Sequence, residues 1–209
     1  MKYMLIMRAT DDAVEAYEET PFEEVIAAMG ATLTKEAAEC LFVAISTDCG
    51  HFSYSSTRPR TFRAAEACAA AGIDIDEITR KLYRTRSLPR IKLLGLVLMD
   101  MQVSGDGRIA WARLTQAMLD EAHATSEDKE GIVNYLQEVS GVQCAILAQE
   151  RGAKTKLSLR STPPFDVAAA IALPLGGGGH ACAAGVDVTL PVDEALQKAI
   201  ELARKALGD

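Results

Sequence analysis

A chain of 209 residues can bury about 70% of the surface that it exposes when unfolded, enough for one large or two small domains without disulfide bonds. Its five cysteines, an odd number with no C-x-x-C pair, argue against a disulfide framework and against a structural zinc site. The net charge of -7 argues against broad binding to long nucleic acid, but it allows a small anionic ligand held in one pocket by local donors.

The first 30 residues predict a strand followed by a short helix. KYMLIM (Lys2–Met7) is typical of a buried strand, and Pro21–Met29 is predicted as a helix that ends at Gly30. The apolar start is far shorter than the roughly 20 residues that a membrane span needs, and no signal peptide is recognised. We therefore expect a cytoplasmic protein with no membrane partner.

Three helices are predicted between residues 34 and 83. Thr34 is a candidate cap for a helix whose first turn is Lys35–Ala38. The apolar run Leu41–Ser46 either finishes this helix or begins a strand. Thr61–Ala71 and Asp74–Tyr83 are predicted as the second and third helices, separated by Gly72.

The second half of the chain predicts a β-sheet with helices beside it. Pro89 opens an apolar helix, and Gly105–Gly107 is a turn signal between the two strands of a hairpin. Further helices are predicted over Ser126–Val139, with Ser126 as the cap, and over Asp166–Leu173 and Val192–Leu207. Further strands are VQCAILAQE, KTKLSLRS and GVDVTL. The fold class is therefore α/β, a mixed sheet flanked by helices.

A run of four glycines, Gly176–Gly179, is the most informative segment for function. Without Cβ atoms, its backbone N–H groups can approach an oxyanion closely, and His180 adds a side-chain donor. The alanine-rich stretch that follows could begin a helix whose dipole favours the same anion. The alternative is a flexible linker, which the apolar segments on both sides disfavour.

The predicted strand KTKLSLRS places Lys156, Ser158 and Arg160 on one face, because side chains two residues apart on a strand point the same way. The planar guanidinium of an arginine suits bidentate phosphate binding. The alternative is a solvated face of an edge strand. The glycine run a short way downstream favours the phosphate interpretation.

The segment Thr47–Phe52 follows an apolar run, a common place for functional residues in α/β proteins. Asp48 is a candidate ligand for a hard metal ion, and His51 is a candidate neighbour of the substrate. The alternative for Asp48 is a turn or cap residue, since a hard ion needs several oxygen ligands. Cys49 and Cys182 are interpreted as small buried or half-buried residues rather than nucleophiles.

Four segments, in the right order, resemble one family. TDCGHFSYSST (Thr47–Thr57) resembles the fourth motif of the RecJ-like DHH phosphoesterases, and LPRIKLLGLVL (Leu88–Leu98) resembles the helical connector between the two halves of those enzymes. SLRS (Ser158–Ser161) and GGGGHACAAG (Gly176–Gly185) resemble the two signatures of the DHH-associated substrate domain. The resemblance is strongest to bifunctional oligoribonucleases that also remove the 3′-phosphate from phosphoadenosine phosphate.

The resemblance implies a pair of manganese ions that activate a water molecule, held by Asp and His residues of the first half of the enzyme. Asp48 is the metal ligand that it assigns in this chain. It implies that the substrate is short RNA or a nucleoside bisphosphate. The implied substrate-binding residues are Arg160, Gly176, Gly177, Gly178, Gly179, His180 and His51.

The sequence also departs from the family pattern. No Asp-His-His triplet occurs in it, and the fourth motif already begins at Thr47. Residues 1–30 instead resemble the first strand and helix of a YCII-related (DGPF-type) domain. The expected organisation is a YCII-like segment over residues 1–30, a remnant of the DHH domain over 31–84, and the connector helix with the DHH-associated domain over 85–209.

This organisation suggests a fusion or a truncated reading frame that retains mainly the nucleotide-binding half of a phosphoesterase. Three functions stay open from the residues alone. The first is a manganese-dependent phosphoesterase, and the second is a non-catalytic nucleotide-binding module, completed by a second copy in a homodimer or by another chain that supplies the missing DHH half. The third is a YCII-like fold in which the downstream part is only a scaffold.

Overall fold

The computed structural model of the protein describes residues 32–54 and 56–208. The chain divides into two compact units, Met1–Thr85 and Arg86–Asp209, and each is described by itself. The strand predicted over Lys2–Met7 and the helix predicted over Pro21–Met29 lie outside the described residues. None of the helices within residues 32–54 and 56–208 is both long enough and apolar enough to cross a membrane.

The described part of the first unit is helical. It contains α1 (Lys35–Asp48), α2 (Pro59–Ala70) and α3 (Ile75–Thr79), which continues into a π-helical turn, Arg80–Arg84. The predicted cap of α1 is confirmed, because the Thr34 hydroxyl oxygen accepts a hydrogen bond from the Ala37 N–H at 3.3 Å. The ambiguous run Leu41–Ser46 is the second half of this helix and not a strand.

A small core holds these helices together. It is built from Ala38 and Phe42 of α1, Cys68 of α2 and Ile73 in the following loop, all of which are buried. Helix α2 begins two residues earlier than predicted, because Pro59 occupies its first position, where the missing N–H of proline costs no hydrogen bond.

The second unit is a six-stranded mixed sheet with helices on both faces, as predicted. Its strands are β1 (Gln102–Val103), β2 (Ile109–Leu114), β3 (Cys144–Arg151), β4 (Lys154–Ser161), β5 (Gly178–His180) and β6 (Ala183–Val188), in the spatial order β1-β2-β3-β4-β6-β5. Strands β2 and β3 pair in parallel, and the other neighbours in this sheet pair antiparallel. The predicted hairpin at Gly105–Gly107 is confirmed as the β1–β2 connection.

Each face of the sheet has its own core. One face packs against α7 (Val192–Leu207) and a π-helical turn (Ala168–Ala172). The other packs against α4 (Leu88–Asp100), α5 (Gln116–Ala122) and α6 (Ile132–Gln137). Alternation along the strands divides the side chains between the two cores, so that Ile146 and Leu157 belong to the first and Ala145 and Leu147 to the second.

The helix predicted over Ser126–Val139 is wrong in its first half. Residues Glu127–Lys129 form a single 3-10 turn, and α6 begins only after Gly131, whose φ of 76° lies in the left-handed region and interrupts the helix. Ser126 does not cap. The Asp128 carboxylate accepts instead from the Thr125 N–H at 2.8 Å and from the Ser87 hydroxyl at 2.6 Å, which fixes the turn beside α4.

An ion pair between α4 and β2 makes stability depend on pH. Asp100 accepts from the Arg113 backbone N–H at 2.7 Å and from its guanidinium at 2.5 Å. Partial burial acts to raise the pKa of Asp100, but the hydrogen bonds and charge of Arg113 outweigh it and lower that pKa below its ordinary value of 3.8. A carboxylate with a lowered pKa stabilises the fold above pH 3.8. This contribution is lost as the pH falls through the pKa that Asp100 has in the folded protein.

We therefore expect Asp100→Asn to lower the free energy of unfolding by about 1–2 kcal/mol at neutral pH. A hydrogen bond to a charged group contributes about 1.5–3 kcal/mol, and the partial exposure of Arg113 reduces this contribution. The difference in the free energy of unfolding between the variant and the wild type should become smaller as the pH falls below 3.8. Denaturant unfolding at a series of pH values measures this difference. A difference that stays constant down to acid pH would show that the carboxylate charge contributes nothing.

Candidate functional site

Residues on one face of the sheet are partly or fully exposed along β4, β6 and β5. Along β4, the side chains of Lys156, Ser158 and Arg160 are half-exposed, whereas the residues between them are buried. The three therefore share a face, as predicted. The alternative of an edge strand is wrong, because β4 lies between β3 and β6.

Strand pairing extends this surface, because residues directly opposite on antiparallel strands point to the same face. Ser158 pairs with Gly185, and Gly185 pairs with Gly178. Arg160 pairs with Ala183, which pairs with His180. We call the six residues of these two rows the open face: Ser158, Arg160, Gly178, His180, Ala183 and Gly185.

Arg160 and His180 stand in one row across the open face, with only Ala183 between them. Their backbones are two strand spacings apart, about 10 Å. The methyl group of Ala183 leaves the space between the guanidinium and the imidazole unfilled by side-chain atoms of the row. This arrangement places one phosphate donor on each side of a surface of small residues.

The Arg160 side chain is held by its neighbours. Its Nε donates to the Asn134 Oδ1 at 3.1 Å, and one terminal nitrogen donates to the Leu159 carbonyl at 2.9 Å. A guanidinium has five N–H donors, so donors are left for a ligand. Asn134 lies on α6, and no sequence signal linked it to Arg160 because the two are 26 residues apart.

The glycine run differs from its prediction. Gly178–His180 forms the edge strand β5, and the residues after it turn into β6, so the expected helix and its dipole are wrong. The flexible linker is equally wrong. The reason is close packing: a Cβ on Gly177 would lie 2.4 Å from the Gly185 carbonyl oxygen, and one on Gly179, whose φ is 146°, would lie 2.5 Å from that of Ala183.

The turn between β5 and β6 is fixed by Ser161 at the end of β4. Its buried hydroxyl lies 2.6 Å from the Phe165 carbonyl oxygen and 3.1 Å from that of Ala181, and its N–H donates to the Cys182 carbonyl at 3.1 Å. The Val167 N–H also donates to the Ala181 carbonyl, at 2.8 Å. These bonds hold the backbone next to His180, whose own side chain is exposed.

A groove of about 460 Å³ runs beside β4, between the sheet and the segment that leads into α6. Arg160 lies in its lining, with Ser158 and Lys156 further along the same strand. Gly131, Ile132 and Val133 form part of the wall opposite the strand. The predicted phosphate-binding residues of β4 therefore line a concave site.

Asp48 and His51 lie in the first unit. Asp48 is exposed at the last position of α1. His51 is exposed, and its Nδ1 lies 3.1 Å from the buried Ser46 hydroxyl, which lies 2.9 Å from the Tyr83 hydroxyl. The His51 and Tyr83 rings are 4.6 Å apart between centroids. Sequence reasoning missed Ser46 and Tyr83, whose link to His51 spans two separate helical segments.

The described residues do not fit the manganese pair that the resemblance implies. Residues 32–54 and 56–208 contain no group of three or more His, Cys, Asp or Glu side chains that could hold a metal ion. A hard divalent ion needs several oxygen or nitrogen ligands, and Asp48 alone supplies a single carboxylate. Cys49 is buried and Cys182 half-buried, in agreement with the interpretation from the sequence.

Residues 108–209 match the DHHA1 domain. Over 186 residues, the chain is 31% identical to the bifunctional oligoribonuclease and PAP phosphatase NrnA of Thermus thermophilus, covering 88% of this chain and 55% of that protein. It is 26% identical to the protein of the same name from Bacillus subtilis, covering 76% of this chain and 50% of the relative. The chain thus spans about half the length of these relatives.

The fold agrees with these matches. The crystal structure of an exopolyphosphatase-related protein from Bacteroides fragilis superposes with a TM-score of 0.79 at 32% identity, covering 87% of this chain and 54% of that one. The resemblance of residues 1–30 to a YCII-related segment stays a prediction. The resemblance to the DHH phosphoesterases is confirmed for residues 108–209, which match the DHHA1 domain, and the two relatives and the fold support it.

Proposed function

We propose that the open face binds the phosphate and sugar of a short RNA or of a nucleoside bisphosphate, with Arg160 and His180 as the phosphate donors. The observation that supports this proposal is the row Arg160–Ala183–His180, in which one donor lies on each side of a small residue. The names of the two NrnA relatives, oligoribonuclease and PAP phosphatase, support the ligand class.

The physical roles of these residues differ. The Arg160 guanidinium, oriented by Asn134, offers a planar pair of N–H donors that matches two phosphate oxygens. His180 offers an imidazole nitrogen to phosphate or to a sugar hydroxyl. Gly178 and Gly185 carry no side chains on this surface, so that the ligand can approach the backbone. His51 of the first unit is proposed as a further contact to the substrate.

The reaction that we propose for the complete site is manganese-dependent hydrolysis of the bound phosphoester in the cytoplasm. Manganese would supply activation of the attacking water. Asp48 is proposed as one ligand of that site, but the described residues offer no full ligand set. The chain would therefore contribute the substrate-binding half, and a second copy in a homodimer or another chain would contribute the remaining ligands.

Arg160→Ala and His180→Ala test this proposal. A hydrogen bond to a charged group contributes about 1.5–3 kcal/mol, so each change should weaken binding of a 5′-phosphorylated dinucleotide about tenfold to a hundredfold. Calorimetric titration measures the affinity, and thermal unfolding checks that each variant is folded.

The matched control is Lys198→Ala, which removes an exposed cation from α7, on the opposite face of the sheet. This variant should bind like the wild type. If both site variants retain the wild-type affinity, the open face is not the binding site. If the wild type itself does not bind a dinucleotide or 3′-phosphoadenosine 5′-phosphate, the proposed function is wrong.

A further inference from the structure

The groove beside β4 continues well beyond Arg160. Lys156 stands on the same face four residues earlier in the strand, a separation of about 13 Å along an extended backbone. Because Asn134 and the Leu159 carbonyl hold the Arg160 side chain, a single phosphate group bound there is not expected to contact Lys156 as well. An extended ligand with phosphates repeating along it can contact both side chains.

A second cluster of cations lies at that far end. The groove is lined there by Lys156 of β4, by Arg151 at the end of β3 and by Lys129 in the 3-10 turn before α6. Burial lowers the pKa of the half-buried Lys129, and the neighbouring positive charges of Arg151 and Lys156 lower it further. The three charges are thus close enough to repel one another.

Three acidic groups lie near these three cations, and all three are exposed. Glu127 and Glu130 also line the groove, and both are exposed. Arg151 has an ion-pair contact with Asp187, 3.6 Å away and largely exposed. Within the part of the chain that the structure describes, neither Lys129 nor Lys156 has a carboxylate at ion-pair distance.

The fold gains little from holding these cations together. Like charges brought near each other and partly removed from water cost free energy, and an anion between them would offset that cost. The rest of the lining is mixed, with the apolar residues Leu114, Ile132 and Leu147 beside polar groups such as Gln149 and Ser158. The cluster is therefore better suited to an anionic ligand than to packing.

We propose that Lys129, Arg151 and Lys156 form a second phosphate subsite, which holds a further phosphate of an oligonucleotide whose first phosphate is bound by Arg160 and His180. This inference rests on the proposed function and narrows its substrate class. Ligands long enough to reach both subsites, such as short RNA, bind more tightly than a nucleoside bisphosphate, which reaches only one.

The test compares three ligands: 3′-phosphoadenosine 5′-phosphate and 5′-phosphorylated oligoadenylates of two and five nucleotides. The double variant Lys129→Ala/Lys156→Ala should bind the pentamer about tenfold more weakly than the wild type and the bisphosphate equally well. The salt dependence of pentamer binding should also fall, by roughly 0.7 in log–log slope for each phosphate that the variant no longer neutralises. Arg160→Ala should weaken all three ligands.

Two further variants keep the test specific. Lys129→Arg/Lys156→Arg should restore pentamer binding, because it keeps the charges, and Lys198→Ala/Lys205→Ala on α7 should have no effect. If the wild type binds the bisphosphate and the pentamer equally and the double alanine variant changes neither, the second subsite is wrong while the proposed function stands. Equal weakening of all three ligands by the double variant would also overturn it. If no ligand binds the wild type, both proposals fail.

Discussion

Gly179→Val is expected to unfold the edge of the sheet, whereas Gly178→Val should leave the fold intact and weaken ligand binding. A Cβ at Gly179 would lie 2.5 Å from the Ala183 carbonyl oxygen and from the Ala184 Cα, both backbone atoms that cannot move aside, and its φ of 146° disfavours any side chain. Together these costs should reduce the free energy of unfolding by about 3 kcal/mol or more.

At Gly178 a Cβ meets no atom within 4 Å, so the free energy of unfolding should change by less than about 1 kcal/mol. The valine would stand on the open face beside Gly185, where it obstructs a phosphate approaching Arg160 and His180. We expect dinucleotide affinity to fall at least about tenfold. Denaturant unfolding and calorimetric titration of both variants separate the two effects.

The reverse pattern would contradict this assignment. If Gly178→Val destabilises the protein strongly while its folded fraction binds normally, Gly178 is structural and the open face is not where the ligand lies. Gly178→Ala serves as a graded control, since its smaller side chain should reduce affinity less than valine does.

Local sequence patterns were sufficient for most of the sheet. Period-two alternation in KTKLSLRS and the helical periodicity of Val192–Leu207 predicted β4 and α7 with the bounds that the structure shows, because each element buries one face against a continuous core. The same alternation placed Lys156, Ser158 and Arg160 on one face. Such predictions depend only on neighbours along the chain.

The row that builds the candidate site could not be predicted in this way. Arg160 and His180 come together because β6 lies between β4 and β5, an order that no local pattern reveals. The stretch after the glycine run was misinterpreted as the start of a helix, because the glycines pack against β6, which depends on residues later in the chain. Asn134 and Ser46 were missed for the same reason, since their partners are distant in sequence or belong to another element.

The net charge of -7 illustrates how a whole-chain quantity can conceal a local one. The groove beside β4 is lined by four cations, Lys129, Arg151, Lys156 and Arg160, against two carboxylates, Glu127 and Glu130. Electrostatic attraction at a half-enclosed site depends on the charges within about one Debye length, about 10 Å at moderate salt, and not on the sum over the protein. An acidic protein can therefore still hold a short polyanion.

The second prediction with a large expected effect concerns the hydrolysis of RNA by the purified chain. We expect the purified 209-residue chain to release no mononucleotide from a five-nucleotide RNA in the presence of manganese, although it binds that RNA. Two-metal hydrolysis needs both ions fixed so that the attacking and leaving oxygens are stabilised together. Of the ligands that the family resemblance assigns, Asp48 alone is matched, and no Asp-His-His triplet occurs in the sequence.

Three measurements together decide this prediction: manganese content after purification, RNA binding by titration, and product release with and without manganese. Asp48→Ala should leave all three unchanged, because a single exposed carboxylate in water binds manganese only weakly and Asp48 is not among the residues of the open face. The opposite outcome would be activity that follows the protein through purification, requires manganese and disappears in Asp48→Ala. Such a result would show that the remaining ligands come from a second copy of the chain or from residues outside the described ranges, since residues 32–54 and 56–208 do not assemble them.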